Sequence, residues 1–184
     1  MNRAATSRAV FLDRDGTITE DPSFVGTVEQ ATVIPGAVAA LKELQDAGYR
    51  LFVVTNQSGV GRGYFSRDAV EAIHAQLNNY LAAAGARFDR YYVCPHRPED
   101  NCDCRKPKPK FLLEAAREFG LDLPHCYMVG DRLTDVQVGI NAGTRTILVL
   151  TGAGRDTQAA GEIDPDFVAD DIRAASAWIL KNER

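Results

Sequence analysis

Short apolar runs recur along the chain, and most are followed by a segment in which the apolar positions switch to helical spacing. Val10-Phe11-Leu12 is the first run and Leu51-Phe52-Val53-Val54 the second. The second shows no polar alternation, the pattern of a strand covered on both faces. Tyr91-Tyr92-Val93, Tyr127-Met128-Val129 and residues 146–150 are the third, fourth and fifth. Residues 36–47 set Val38, Leu41 and Leu44 on one helical stripe and stop at Gly48. After Ser66, a candidate N-cap, Val70, Ile73, Leu77 and Leu81 form a second stripe that ends near Gly85. Residues 111–119 and 134–142 are expected helices ended by Gly120 and Gly143. A Gly-rich loop over residues 151–164 precedes a weak strand at Phe167-Val168 and a last helix over 172–181, capped by Asp170 or Asp171. Strand alternating with helix predicts an α/β fold, a doubly wound parallel sheet with right-handed crossovers. No repeat, low-complexity tract or linker interrupts it, so residues 1–184 are expected to form one domain.

Ligands in such sheets bind beyond the carboxyl ends of the strands. Asp13 follows the first run, Thr55-Asn56 the second, Cys94-Pro95-His96 the third and Gly130-Asp131 the fourth. The polar constellations therefore fall on the edge where a site is expected.

In Asp13-Arg14-Asp15-Gly16-Thr17, two carboxylates two residues apart face the same way if the backbone stays extended. At the end of a buried strand this suits a place where a cation and a phosphate sit. Thr55-Asn56-Gln57-Ser58 sets a hydroxyl and amides at a strand end, and a hydroxyl can bond a phosphoryl oxygen without competing as a base. Gly59-Val60-Gly61-Arg62-Gly63 imitates a dinucleotide fingerprint, but its spacing is wrong and no helix is expected to open on it. It reads as a flexible loop, with Arg62 a candidate substrate contact. Arg105-Lys106-Pro107-Lys108-Pro109 is a cationic cluster just before a helix. Lys106 suits the neutralisation of a phosphoryl group in transfer, and Arg105 could fork onto a second phosphate or a sugar hydroxyl. Asp131 leaves its strand toward the same edge as Asp13, placed as a hard oxygen ligand for Mg²⁺. Asp135 reads equally as support for that metal and as a helix cap.

Three of the four cysteines lie between Cys94 and Cys104. Cys94, His96, Cys102 and Cys104 are four soft or borderline ligands with no spare position, which fits a closed structural zinc site. No helix-borne histidine pair follows, so the pattern is not a nucleic-acid-binding finger. Cys126 reads as a small buried hydrophobe, and His74 and His125 as ordinary residues.

Composition sets the outer bounds. At 45% hydrophobic and 25% charged the chain is an ordinary globular sequence. A net charge of -4 argues against a nucleic-acid partner, while local cations still suffice for a small anionic substrate. No apolar stretch approaches membrane-spanning length, so no membrane partner is expected. Residues 1–8 have no apolar signal core and are expected to be a short frayed lead-in. The expectation is a cytoplasmic monomer.

Taken in order, Asp13-x-Asp15-Gly16-Thr17, Thr55-Asn56, Lys106-Pro107 and Gly130-Asp131-x-x-x-Asp135 resemble the four motifs of the haloacid dehalogenase-like (HAD) phosphatases. With CxH…CxC directly before Arg105-Lys106-Pro107, the chain is similar to one subfamily, which holds phosphatases of D-glycero-D-manno-heptose 1,7-bisphosphate and histidinol-phosphate phosphatases. Residues 55–65 lie closer to the heptose type, and the short spacing between His96 and Cys102 closer to the histidinol type. The resemblance implies a Rossmann-like core. Residues 18–35 leave little room for a helical cap, and one helix is expected between the second and third runs. The enzyme is then capless, with the zinc loop and residues 20–24 shaping the entrance. The implied reaction is Mg²⁺-dependent hydrolysis of a small sugar phosphate, the 7-phosphate of the heptose bisphosphate, with histidinol phosphate as the alternative.

The resemblance also implies roles. Asp13 attacks phosphorus and is transiently esterified, and Asp15 serves as acid and then base. Mg²⁺ is held by the Asp13 carboxylate, the Asp15 main-chain carbonyl and Asp131. Thr55 and Lys106 hold the phosphoryl oxygens, while Asn56, Gln57, Ser58, Arg105 and Arg132 contact substrate. Zinc is expected to stiffen the backbone before Arg105 and Lys106. Two other classes remain open. One is a zinc-stabilised non-catalytic binding module, opposed by the filled chemical positions. The other is a polynucleotide 3'-phosphatase, opposed by the acidic balance.

Overall fold

The computed structural model describes residues 7–182, so most of the expected lead-in lies outside the described residues. Six strands, β1 (Ala9–Leu12), β2 (Arg50–Asn56), β3 (Arg90–Cys94), β4 (Tyr127–Gly130), β5 (Arg145–Val149) and β6 (Phe167–Ala169), form one sheet. All pairings are parallel, and the order is β3-β2-β1-β4-β5-β6. Helices α1 (Ala37–Asp46), α3 (Arg67–Ala83) and α7 (Ile172–Lys181) cover one face, while α4 (Lys110–Phe119) and α5 (Leu133–Ala142) cover the other. The strand order reverses between β1 and β4, which opens a crevice at their carboxyl ends.

The faces follow from the two-residue period of the strand. Val10 and Leu12 of β1 pack with Leu41, Leu44 and Ile73, whereas Ala9 and Phe11 pack with Leu112 and Val138. Leu41, with no exposed surface, exemplifies what holds α1 down. Truncating such a side chain to Ala costs about 2–5 kcal/mol. The same period carries past the strand ends. Asn56 shares a face with Phe52 and Val54 and is paired with Cys94, so both are set on the α4 side, where the Lys106 segment runs.

Caps match their residues. Ser66 accepts from the Ala69 N–H at 3.1 Å, and of the two expected caps of α7 it is Asp171 that accepts from Arg173 and Ala174. Two segments depart from expectation. Residues read as a flexible loop begin with a single-turn helix, α2 (Ser58–Gly61), so two helices rather than one join β2 to β3. The Gly61 N–H bonds the Pro95 carbonyl at 2.9 Å, and a Cβ at Gly61 would lie 2.7 Å from that oxygen. Glycine here thus permits close packing on the loop after β3. Within residues 151–164, α6 (Gly154–Ala160) forms where a loop was expected. A Cβ at Gly154 would meet the Val149 carbonyl, so that glycine also marks contact rather than looseness. Between β1 and α1 no helix occurs, in line with the expected absence of a helical cap. No described helix is long and apolar enough to cross a membrane.

Candidate active site

The crevice gathers residues from three strand tips and one loop. The Asp13 N–H donates to the Val129 carbonyl at 2.9 Å, which carries β1 one residue further beside β4. The Lys106 ammonium reaches Asp13 Oδ1, Asp135 Oδ1 and the Val54 carbonyl, each at 2.7 Å. Asn56, at the tip of β2, clamps the Lys106 backbone: its Oδ1 accepts from the Lys106 N–H at 3.1 Å and its Nδ2 donates to the Lys106 carbonyl at 3.3 Å. Both ends of the Asn56 amide thus fix the lysine. Asp135 also accepts from the Arg132 N–H at 2.9 Å, so it caps α5 while pairing with Lys106.

The charges do not balance among these groups. Asp13, Asp131 and Asp135 are all buried and can offer ligand atoms within 4.8 Å of one another. Three carboxylates face a single ammonium. Burial, reinforced by the neighbouring acids and opposed by Lys106, pushes the Asp13 carboxyl up to about 8. Burial and then Asp135 push Asp131 up to about 6. Burial alone would lower the Lys106 ammonium, but Asp13 and Asp135 outweigh it and hold it above its usual range. Asp131 Oδ1 is buried with no hydrogen-bond partner. A divalent, oxygen-seeking cation fits this donor set, because it would meet the orphaned oxygen and offset the surplus negative charge.

Glycine makes the close approach to Asp131 possible. Gly16 and Gly152 sit at φ +86° and +54°, and a Cβ on either would lie 2.3 Å from Asp131 Oδ2. The Ala153 N–H donates to that oxygen at 2.8 Å, and Thr151 Oγ1 donates to the Gly16 carbonyl at 2.6 Å. The loop after β5 therefore closes over the acid.

Asp15 is held differently. Arg14 Nε and Nη2 fork onto its two oxygens at 2.8 Å each. Thr19 Oγ1 adds a contact at 3.1 Å, and Gln57 Nε2 donates to Oδ2 at 2.8 Å. Gln57 Nε2 also donates to Thr55 Oγ1 at 2.8 Å. Because Thr55 accepts there, its own proton is available to a phosphoryl oxygen.

Of the candidate residues, Asp13, Asp15, Thr55, Asn56, Gln57, Ser58, Arg105, Lys106 and Arg132 line one cleft of about 420 Å³, a size suited to a small ligand. Asp131 is not in that lining, but its carboxylate lies within 4.8 Å of those of Asp13 and Asp135, which are. Asp21 and Phe24 form part of the rim, where Arg132 Nη2 pairs with Asp21 Oδ2 at 2.6 Å. Arg62 does not line the cleft; it faces Glu99 at 3.9 Å. Neither Arg14 nor the loop residues 151–153 carried an expected role in the site. The signal for Arg14 was available, since a cation between two acids at the end of a buried strand cannot be solvated there.

Cys94, His96, Cys102 and Cys104 come together beside the cleft. The Cys94–Cys102 and Cys102–Cys104 Sγ separations are each 3.6 Å, and Cys104 Sγ lies 3.4 Å from His96 Nδ1. A tetrahedral zinc with thiolate bonds near 2.3 Å sets its sulfurs roughly 3.7 Å apart. Bonded disulfide sulfurs stand only about 2 Å apart, so this spacing suits shared metal ligation. Burial raises the Cys94 thiol. At Cys102, burial is outweighed by backbone N–H groups of Cys104 and Arg105 and by neighbouring thiols, which leaves it at about 7. The loop grips the cationic stretch: Arg105 Nη1 donates to the His96 carbonyl at 3.2 Å, and Lys108 Nζ to the Cys102 carbonyl at 2.6 Å.

Comparison with known proteins agrees with this arrangement. Residues 10–79 match the family described as haloacid dehalogenase-like hydrolase, and residues 103–175 match HAD-hydrolase-like proteins. D-glycero-beta-D-manno-heptose-1,7-bisphosphate 7-phosphatase of Pseudomonas putida is 38% identical over 174 residues, covering 94% of this chain and 99% of the relative. D-glycero-D-manno-heptose-1,7-bisphosphate 7-phosphatase of Thermosynechococcus vestitus is 41% identical over 186 residues, covering 93% and 94%. Among solved structures, the D,D-heptose 1,7-bisphosphate phosphatase of B. bronchiseptica, complexed with magnesium and phosphate, is 36% identical and superposes with a TM-score of 0.90 over 96% of this chain and 99% of that one.

Proposed function

The chain belongs to the haloacid dehalogenase-like hydrolases, and from that premise we propose that it removes the 7-phosphate of D-glycero-D-manno-heptose 1,7-bisphosphate. The reading is carried by the cluster of Asp13, Lys106 and Asp131 beneath a cleft whose rim bears two arginines. The relatives named above act on heptose bisphosphate by name, which favours that substrate over histidinol phosphate. The binding-module alternative has no support in a cleft where the nucleophile, hydroxyl and lysine positions are all filled.

The 7-phosphoryl group sits against Thr55, whose free proton donates to it, and against the Lys106 ammonium. An Asp13 carboxylate oxygen forms a bond to phosphorus while the bond from phosphorus to the sugar oxygen breaks. Asp15 gives its proton to that departing oxygen. In the second half Asp15 takes a proton from water, the water oxygen bonds to phosphorus, and the Asp13–phosphorus ester breaks to release inorganic phosphate. Asp13, the Asp15 main-chain carbonyl and Asp131 would hold Mg²⁺, which when bound offsets the repulsion between nucleophile and phosphate. Asp135 serves by orienting Lys106. Arg105 and Arg132 line the cleft and would meet the second phosphate of a bisphosphate, with Asn56, Gln57 and Ser58 completing the wall.

Cys94, His96, Cys102 and Cys104 hold zinc in this reading, and the metal fixes the backbone that carries Arg105 and Lys106. Residues 1–184 act as one domain built on a single sheet, a monomer working on a small molecule in a cytoplasm that keeps the thiols reduced. The test is phosphate release from the heptose bisphosphate and from histidinol phosphate, with and without Mg²⁺. Mg²⁺-dependent turnover of the first is expected. Preference for histidinol phosphate, or no turnover of either, would overturn the assignment.

A further inference from the structure

Arg14 is the largest side chain in the described chain with no exposed surface. Burying a guanidinium is costly unless its donors are met in good geometry. Here the met donors all concern one acid. Nε and Nη2 fork onto Asp15 Oδ1 and Oδ2, both at 2.8 Å. Nη1 turns away toward His74 Nε2 at 3.5 Å. His74 is 3% exposed and stacks on the Tyr91 ring, with centroids 4.1 Å apart and planes at 18°. The Tyr91 hydroxyl donates to Asn78 Oδ1 at 2.9 Å, tying β3 to α3. A continuous stack thus runs from the half-buried Tyr91 of β3 through the buried His74 of α3 to the back of the Asp15 carboxyl.

The front of the same carboxyl is lighter. Gln57 Nε2 is shared between Asp15 Oδ2 and Thr55 Oγ1, and Thr55 is the group that meets the phosphoryl oxygens. Oδ1 is filled by Arg14 and Thr19 and Oδ2 by Arg14 and Gln57; of these partners only Gln57 lines the cleft, so a proton carried on Oδ2 toward substrate takes the place of the Gln57 contact.

We propose that Arg14, backed by His74, is a positioning residue that fixes the plane of the Asp15 carboxyl so that its cleft-facing oxygen delivers the proton to the leaving group. The inference rests on the assignment of Asp15 as acid and base. The step is a single proton transfer: the Oδ2 proton passes to the sugar oxygen as its bond to phosphorus breaks. Protonation of this kind matters for a sugar alkoxide and hardly at all for p-nitrophenolate, which leaves readily without a proton. A role in fold alone would not distinguish the two leaving groups.

The test is kcat/KM, which reports the steps through departure of the leaving group, for heptose 1,7-bisphosphate and for p-nitrophenyl phosphate. Arg14→Lys keeps the charge but loses the planar fork. It should lose about 100-fold on the heptose substrate and less than about threefold on p-nitrophenyl phosphate, since positioned acid catalysis contributes about 10²–10⁴. Retained p-nitrophenyl phosphate activity also shows that the variant is folded. Asp15→Asn separates the two ideas. If it shows the selective loss while Arg14→Lys is unaffected or falls equally on both substrates, the positioning role is overturned and the acid assignment stands. If Asp15→Asn shows no selective loss, the acid assignment itself falls and takes the proposal with it. Should Arg14→Lys not fold, His74→Gln replaces it. It should show a selective loss of about fivefold, and an equal loss on both substrates would overturn the proposal.

Discussion

The two ends of the sheet carry clefts of nearly equal size and opposite character. The one at the carboxyl ends measures about 420 Å³ and the one at the amino ends about 450 Å³. In the amino-end cleft the cations rest on aromatic faces: Arg8 lies 4.5 Å from the Tyr49 centroid, and Arg145 lies 4.7 Å from that of Trp178. Its polar groups have protein partners, with Arg145 Nη1 donating to the Tyr127 hydroxyl at 3.0 Å and His125 Nδ1 2.9 Å from Asp122 Oδ2. At the carboxyl end three buried acids share one lysine, two carboxyls are pushed well above their ordinary range, and an Asp131 oxygen has no partner. Volume therefore does not mark the reactive end. Unbalanced buried charge does, because it is offset only by a bound proton, a ligand or an ion.

The comparison breaks most sharply at Asp13. Asp13→Asn should lower heptose bisphosphate turnover by at least about 10⁴-fold while the protein stays folded, as removal of a covalent nucleophile does. Phosphate release and circular dichroism check the two halves of that statement. Chelation of Mg²⁺ comes next, with a loss of about 100-fold or more.

Metal removal also exposes the charge imbalance as a pH dependence. The Asp13 carboxyl is raised from 3.8 to about 8 in the folded protein, so the fold binds more protons than the unfolded chain between those values. Its contribution is complete below pH 4 or so and is lost as pH rises toward 8. The metal-free protein should therefore lose Tm between pH 5 and 8. Mg²⁺ at about 100 times its dissociation constant should restore about 2.7 kcal/mol. At one fixed Mg²⁺ concentration the gain should be larger at pH 8 than at pH 5, because the ligands must be deprotonated. A metal-free Tm that holds flat or rises over this range would contradict the charge imbalance.

Cys102→Ala is expected to act less strongly, with about a tenfold loss of activity and roughly 10 °C in Tm falling together. Full activity in a zinc-free variant would separate the loop from the site. The smallest effect belongs to the other edge. Arg145→Gln should leave turnover within about twofold while costing up to about 1 kcal/mol of stability, readable as a small shift in Tm.

Much of this division was legible before the fold. Hydrophobic runs of matching length set the strands, and the polar tips of four of them identified the reactive edge. Asp13 and Asp131 stood out because charged residues at the ends of buried runs are hard to explain structurally, and Lys106 because it sits in a cationic cluster just before a helix. The rest was hidden for particular reasons. The helices at Ser58–Gly61 and Gly154–Ala160 contain glycines whose backbones contact Pro95 and Val149, and glycine in a sequence is easily taken for a loop. Asn56 looked like a substrate contact, yet its partner is the backbone of a residue 50 positions away, which no local pattern reveals. Arg14 lay in plain view between two acids, but its burial and its link to His74 exist only once α3 packs against β1.

The central claim is that Asp13 becomes esterified at the charge-unbalanced end of the sheet. Rapid acid quench of a turnover mixture, borohydride reduction of any acyl phosphate and peptide mass spectrometry test it most directly. A reduced aspartate at position 13, absent without substrate, is expected. A steady-state enzyme that turns over normally with no modified residue, or with the mark on Asp15, would contradict it.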